Sequence, residues 1–545
     1  MSLGSLLLAG ILCLPTVVIV AHLFIPMEEV WRHLLDTVLV RYISNTVWLA
    51  LGVGLLGLLI GTLTGWLLAN FEFPGQSLFH WALLLPLAVP TYATAFSYGG
   101  LCEFSGPLQT NLREVFGWSK GDYWFPEIRS IWGSIFVMSF VLYPYVYLLG
   151  RTAFVGQARN YDESARVLGR SSGGIFKDVS FPLARPSLVA GLALMLMETL
   201  SDFGAVQYLA VDTFTTGIYR TWFGLGSPEG AARLASMLLL LIFLVLLMEQ
   251  RSRGQAKYYQ ITAGSQVKDR VNLVGLRGCA AVFICFIPLF FGFILPAGYL
   301  LFISLPAWTI MMQSNFFQHL WNSFSLAVLT SLLAMISALF LVYSVRLGAG
   351  GLNRFVCRIV GLGYGFPGSV VAVGVLIPMA WLDYRIDDFS RSAFGFSTGL
   401  IFTGGIVAIV FAYLVRFMAL GLNSLQSSME SLNPNLDAAA QTLGANWQRR
   451  LSMIHIPLVT GGLLTGALLV FVDVMKELPA TLILRPFNYD TLAVKAYELA
   501  SDEALSASAC YALTIVAIGL IPVIVISHSA RVFGSYGTKV RQRDG

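Results

Sequence analysis

Residues 162–186 read DESARVLGRSSGGIFKDVSFPLARP, a polar and basic stretch set between long apolar runs, and residues 437–461 read DAAAQTLGANWQRRLSMIHIPLVTG. A constant offset of 275 aligns Asp162 with Asp437, Ala165 with Ala440, Leu168 with Leu443, Gly169 with Gly444, and Pro182-Leu183 with Pro457-Leu458. The register runs on, pairing Gly191 with Gly466, Ala205 with Ala480 and Thr216 with Thr491. Alanines and leucine at helical spacing, a glycine suited to a left-handed cap and a proline opening the next run predict helix, stop, second helix. Upstream, Asn45-Thr46 matches Asn322-Ser323 and Pro90 matches Pro367 at an offset of 277. A two-residue length difference therefore falls between Pro90 and the polar stretch.

The composition around these stretches belongs to a membrane. Hydrophobic residues make up 57% of the chain, charged residues only 12%, and the mean hydropathy is +0.74; soluble chains carry about 25% charge. The net charge of +5 over 545 residues is small, and loop lysines and arginines account for such an excess without a nucleic-acid partner. Cys13, Cys102, Cys279, Cys285, Cys357 and Cys510 show no C-x-x-C spacing and read as small buried residues. The six histidines are dispersed and no H-E-x-x-H occurs, so no enzyme site is expected and no metal set is assigned. The chain contains no Gly-Lys dipeptide, hence no phosphate-binding G-x-x-x-x-G-K-[ST] loop, and any ATP-driven work must draw on another subunit.

Apolar runs near 5–25, 45–69, 78–101, 130–150, 186–206 and 233–250 are each of a length to cross about 30 Å of hydrocarbon. Runs near 277–304, 322–345, 356–382, 399–422, 456–483 and 507–530 repeat the count. The expected class is an all-α polytopic membrane protein of about twelve spans. Residues 1–5 carry no positive charge, so the first run is expected to be retained as a helix. Six spans per half is an even number, which makes the two halves a parallel repeat. The expected divisions are a first half at 1–250 with its polar loop at 151–185, a polar and basic connector at 251–276, and a second half at 277–545 with its loop at 423–456. With both loops in the cytoplasm, 21 basic residues fall on the inner side, Arg416, Arg449 and Arg450 among them, against 10 outside. That is the sign of positive-inside topology. Pro86, Pro90, Pro144, Pro367 and Pro378 within the runs predict kinks.

Four acids lie inside spans, where each costs about 2.5 to 3.5 kcal/mol to insert. Glu198 and Asp202 match Asp473 and Glu477, and each pair is spaced i, i+4, hence predicted on one helix face. At 1.5 Å per residue, Glu198 sits about 18 Å along a helix from Pro186, near the bilayer centre. Two readings stand: a ring of carboxylates lining a path for a multivalent cation, or acids paired with Lys476, Arg185 or serines for packing and gating. Beyond these helices the outer segments 206–232 and 484–504 match Thr216 with Thr491, Arg220 with Lys495 and Trp222 with Tyr497. They read equally as interfacial anchors or as a docking surface for an external delivery protein.

The duplicated loop resembles the EAA loop of ATP-binding-cassette importer permeases, carried by Asp162, Glu163, Ala165, Gly169 and Pro182 in the first copy. Asp437, Ala438, Ala440, Gly444 and Pro457 carry it in the second, which has no glutamate beside its aspartate. The resemblance implies a MetI-like permease bundle whose loops sit in grooves of a cytoplasmic ATPase dimer, with ATP and Mg bound there and no cofactor on this chain. METLSDFGAVQYLAVDTFTTGIYRTWFGLG at 197–226 and KELPATLILRPFNYDTLAVKAY at 476–497 are similar to ferric-iron importer permeases with both halves in one chain. That implies a bacterial inner membrane location, Fe3+ as cargo and a periplasmic iron-binding protein as donor. The alternatives are thiamine or another small organic cation as cargo, or an ion-gradient-driven carrier.

Overall fold

The computed structural model describes residues 2–24, 29–119, 121–157, 169–170, 172–253, 270–348, 351–433 and 435–521. It is all-α apart from one short parallel pairing, Phe71–Glu72 with Val271–Asn272, extended by the Leu273 N–H donating to the Glu72 carbonyl at 2.8 Å. Among the described residues nine helices are long and apolar enough to cross a membrane. Two bent pairs raise that to eleven: Gln76–Ala88 with Thr91–Phe116, bent by 88°, and Ile131–Leu142 with Pro144–Val155, bent by 42°. The helix Leu505–Ile521 covers part of the last expected run, and residues beyond 521 lie outside the described set.

The bends follow from proline. Val89 is extended (φ −94°, ψ 122°) because the residue before a proline is pushed out of the helical region, and Pro90 then opens Thr91–Cys102. Pro367 stands at the corresponding place with φ −58° and ψ 141°, against −59° and 142° for Pro90. The run expected at 356–382 is thus interrupted too: Gly351–Gly361, a tight turn at Leu362–Gly365, then Gly368–Phe394. A second shared device sits under the inner ends of two spans. Phe176–Ser180 and Leu451–His455 are widened π turns, each ending just before a proline (Pro182, Pro457) that has no N–H to continue the ladder.

The compact units cross the expected halves. One comprises residues 1–39, 214–239 and 309–498; the other comprises 40–213, 240–308 and 499–545. In the former, Ser5 Oγ donates to Asn353 Oδ1 at 3.1 Å and Ser236 Oγ to the Ile19 carbonyl at 2.8 Å. A Cβ on Gly374 would lie 2.6 Å from the Pro15 carbonyl oxygen, so the first span packs against Gly368–Phe394 at backbone range. In the other unit Leu49, Val53, Met138, Val146, Leu188 and Met195 form one buried cluster. Tyr143 and Tyr147 donate their hydroxyls to the Leu83 and His80 carbonyls at 3.0 and 3.1 Å, which satisfies polar groups that lipid could not.

Candidate functional site: the polar loops and the breaks above their spans

The second loop forms a helix at Asn435–Thr442 that ends in a Schellman cap. Gly444 holds φ +76°, its N–H donates to the Gln441 carbonyl at 2.9 Å, and the Ala445 N–H reaches the Ala440 carbonyl at 3.0 Å. Asn446 then caps the next turn, its Oδ1 accepting from the Arg449 N–H at 2.8 Å. In the first copy Gly169 holds φ +78°, and Pro182 lies in the first turn of Phe181–Ser201. Asp162, Glu163 and Ala165 lie outside the described residues.

Within Asn435–Thr442 the faces are sorted. Asp437 points inward, its carboxylate 2.8 Å from Arg346 Nε, 3.0 Å from His455 Nε2 and 3.7 Å from Arg450 Nη1. Ala440 is buried, Ala438 and Ala439 are exposed, and Leu436 and Leu443 are 40% and 87% exposed. Leu436, Ala439 and Leu443 thus make an apolar stripe open to the outside of the unit, at the i, i+3, i+7 spacing of one helix face. Sequence reasoning used Leu443 only to set the register and missed the stripe, because a three-residue pattern in an alanine-rich helix is weak until burial distinguishes its faces.

The breaks above the two spans differ from the expected single helix face. Phe181–Ser201 ends before Asp202, which is extended (ψ 136°), and Ile456–Met475 ends before Glu477. Asp202 is therefore not one turn along a helix from Glu198. It caps the short helix Gly204–Tyr208, accepting from the Ala205 and Val206 N–H groups at 2.9 and 3.3 Å and from the Thr91 hydroxyl. Glu477 does the same for Pro479–Leu484, accepting from Ala480 N–H at 2.9 Å, Thr481 N–H at 3.1 Å and the Thr481 hydroxyl at 2.7 Å. It also takes an ion pair from Arg416 Nη1 at 2.9 Å, with the two side chains 1% and 10% exposed. Arg416, counted above with the cytoplasmic residues, thus sits buried within Val407–Glu430. Gly368 makes room for the pair: a Cβ there would lie 2.5 Å from Glu477 Oε1 and 2.7 Å from Arg416 Nη1. Of the other two acids, Asp473 pairs with Lys476 at 2.7 Å, and Glu198 is half-buried with no hydrogen-bond or ion-pair partner among the described residues. Glu198 and Asp202 belong to one compact unit, Asp473 and Glu477 to the other. No group of three potential metal ligands occurs among the described residues.

In the outer segments the register shifts. Asn45 Nδ2 donates to the Asp212 carbonyl at 2.9 Å and Asn322 Nδ2 to the Asp490 carbonyl at 3.0 Å, an offset of 278 between the acceptors. Phe214–Tyr219 and Leu492–Ser501 begin at that same offset. The structural counterpart of Thr491 is therefore Thr213, not Thr216, and that of Tyr497 is Tyr219; the turn between short helices is three residues longer in the second copy. Thr216 and Thr491 are buried, Arg220 is exposed, and Trp222, Lys495 and Tyr497 are half-buried. The longer turn is tied by Arg485 to Asp490, by Arg485 Nη2 to Glu498 at 2.6 Å and by Lys495 to Glu498 at 3.2 Å, and it carries Phe487, 98% exposed, ahead of Asn488 at φ +60°. Phe487 had no repeat partner to draw attention to it.

Comparison with known proteins bears on both the loops and the breaks. Residues 57–251, which include the first loop and its break, match the family described as binding-protein-dependent transport system inner membrane component. A Fe(3+)-transport system permease protein of Haemophilus influenzae is 26% identical over 90% of each chain. A sulfate transport system permease protein of Escherichia coli is 28% identical over 47% of this chain and 89% of its own length. A molybdate/tungstate transport system permease protein of Thermococcus kodakarensis is 26% identical over 45% and 92%.

Proposed function

We propose that the chain is a multi-pass inner-membrane permease of the binding-protein-dependent transport family, which residues 57–251 match, and that it supplies both membrane halves of an importer for ferric iron. The observation that carries the iron reading is the similarity to the iron permease along 90% of both chains, whereas the oxyanion permeases match only about half of this one. A periplasmic iron-binding protein delivers the cargo, and a cytoplasmic ATPase dimer supplies the energy through ATP and Mg held on its own subunits. The two loops are the levers: Leu436, Ala439 and Leu443 meet the ATPase at the second, and the cap at Gly444 sets the angle between that helix and the span above it. Gly169 has the matching role in the first, with Asp162, Glu163, Ala165 and Pro182. Binding of ATP closes the dimer, moves the levers and shifts the halves between outward and inward access.

Inside the membrane, Glu198 is the acid proposed to meet the cation, because Asp202 and Glu477 are committed to capping and Asp473 to Lys476. Outside, Phe487, Arg220 and the half-buried Trp222, Lys495 and Tyr497 offer a docking surface for the donor. The test is ATP turnover in vesicles holding this chain and its ATPase, driven by donor proteins loaded with iron, with sulfate or with thiamine. Stimulation by iron alone is expected; stimulation only by another cargo overturns the iron assignment.

A further inference from the structure

Asp437 lies in the first turn of its helix, where an aspartate ordinarily serves as a cap, yet all the partners the structure gives it are side chains from other elements. Arg346 comes from the end of the Ser314–Gly348 helix, Arg450 from the turn below the widened segment, and His455 from the widened segment that runs into Ile456–Met475. Arg346 does more than pair with Asp437. Its Nη1 donates to the Met429 carbonyl at 2.6 Å and to the Leu432 carbonyl at 3.3 Å, so one guanidinium joins the coupling helix to the end of Val407–Glu430 as well. Tyr343, one turn back on the same helix as Arg346, donates to the Trp447 carbonyl at 2.7 Å, and its ring lies 5.4 Å from that of His455. The side chains of Asp437, Arg346, Arg450 and His455 are 19%, 14%, 11% and 1% exposed, so the carboxylate and the two guanidinium charges interact where water screens them little, with the His455 ring packed beside them.

The first copy has no such residues. The offsets place Ala69 where Arg346 stands, Ile175 where Arg450 stands, Ser180 where His455 stands and Trp66 where Tyr343 stands. That place is filled by rings instead: Trp66 lies 4.8 Å from Phe176, and Phe154 lies 6.4 Å from Phe176.

We propose that Asp437 is a positioning residue that, through Arg346, Arg450 and His455, fixes the second coupling helix to two spans. The inference rests on the reading of the loops as ATPase couplers. It adds that Asp437 itself does not touch the ATPase. Ionic contacts with directional partners hold an angle, so the second lever follows its spans as one piece.

The test uses the full chain with its ATPase and donor protein in lipid vesicles, comparing wild type, Asp437→Asn, His455→Gln and the exchanged pair Arg346→Asp with Asp437→Arg. Three quantities are read: ATPase retained on purification, ATP hydrolysed, and cargo moved per ATP. For Asp437→Asn the expected result is unchanged ATPase retention and sustained hydrolysis, with cargo moved per ATP reduced by about fivefold or more, the usual scale of coupling between sites. The exchanged pair regains a substantial part of that ratio. Amide exchange in the purified chain rises at residues 435–445 in Asp437→Asn while that of Ile456–Met475 stays as in wild type, which separates loss of the brace from loss of the fold. Unchanged amide exchange, or an unchanged transport ratio, overturns the proposal. ATPase retention that falls in step with transport makes Asp437 a contact residue and also overturns it, leaving the coupling reading intact. Failure of wild type to retain any ATPase overturns the coupling reading and this inference together.

Discussion

The breaks above Phe181–Ser201 and above Ile456–Met475 meet one requirement with different chemistry. Each ends a span inside apolar surroundings, where the freed N–H groups of the next helix need an acceptor that lipid cannot supply. Each uses a carboxylate, Asp202 or Glu477, accepting from the N–H groups three and four residues on. They differ in one side-chain partner of the acid. Thr91 offers Asp202 a hydroxyl; Gly368, at the place of Thr91, is bare and admits the Arg416 guanidinium to Glu477. Val141 stands at the register position of Arg416. The backbone device has thus been kept between the copies, while the hydroxyl that Thr91 gives Asp202 is replaced at Glu477 by a buried guanidinium. A pair of that kind adds little over an apolar replacement but makes each partner costly to remove alone.

That difference can be broken experimentally. Arg416→Met strands Glu477 without its counter-charge and is expected to cost about 3 to 5 kcal/mol, read as a fall in the thermal unfolding midpoint of the detergent-solubilised chain. Next in size are Gly444→Val and Gly169→Val. No atom lies within 4 Å of where either Cβ would sit, so the cost is backbone strain alone, about 1 to 2 kcal/mol at a positive φ. The chain should still insert, with transport lost relative to ATP hydrolysis; unchanged transport in both variants would deny the glycines a part in coupling. Thr91→Val removes one hydroxyl donor from Asp202, which keeps its two backbone N–H donors, for about 1 kcal/mol. Should it cost as much as Arg416→Met, the Thr91 hydroxyl and the Arg416 guanidinium weigh alike at their carboxylates.

The smallest effect concerns pH. Burial pushes the Glu498 carboxyl up, but the hydrogen bonds and charges of Arg485 and Lys495 outweigh it and hold the group below the usual carboxylate range. A folded value below the unfolded one, about 4.3, means the cluster contributes in full above that pH, and its contribution is lost as pH falls through the folded value. Amide exchange across residues 485–498 should therefore quicken only on strong acidification. Glu498→Gln should remove that dependence. Arg220 stands at the 278 offset from Glu498, so the first outer segment has no acid there to titrate.

Much of this was legible in the chain. Gly169 and Gly444 were placed at left-handed positions from their spacing, and Pro90 and Pro144 at bends, because both are local backbone constraints that a residue type carries with it. The pairs Glu198/Asp202 and Asp473/Glu477 were misread as helix faces for the opposite reason: helical spacing was carried past Ser201 and Met475, and nothing in an apolar run marks where the ladder stops. Arg416 went into the aqueous tally because its partner lies 61 positions away. The shift from 275 to 278 in the outer segments left no trace in matched residues and emerged only from the shared Asn45 and Asn322 hydrogen bonds.

Taken alone, the sequence determined the membrane class, the duplicated loop with its glycine stops and the proline breaks, since hydropathy, helical period and backbone preference act over a few residues. The tertiary structure decided how the compact units divide the chain, which way Asp437 faces and which cation each buried acid meets. A charge in a low-dielectric interior selects its partner by distance and orientation, and two residues far apart in the chain acquire those only when the helices between them have packed.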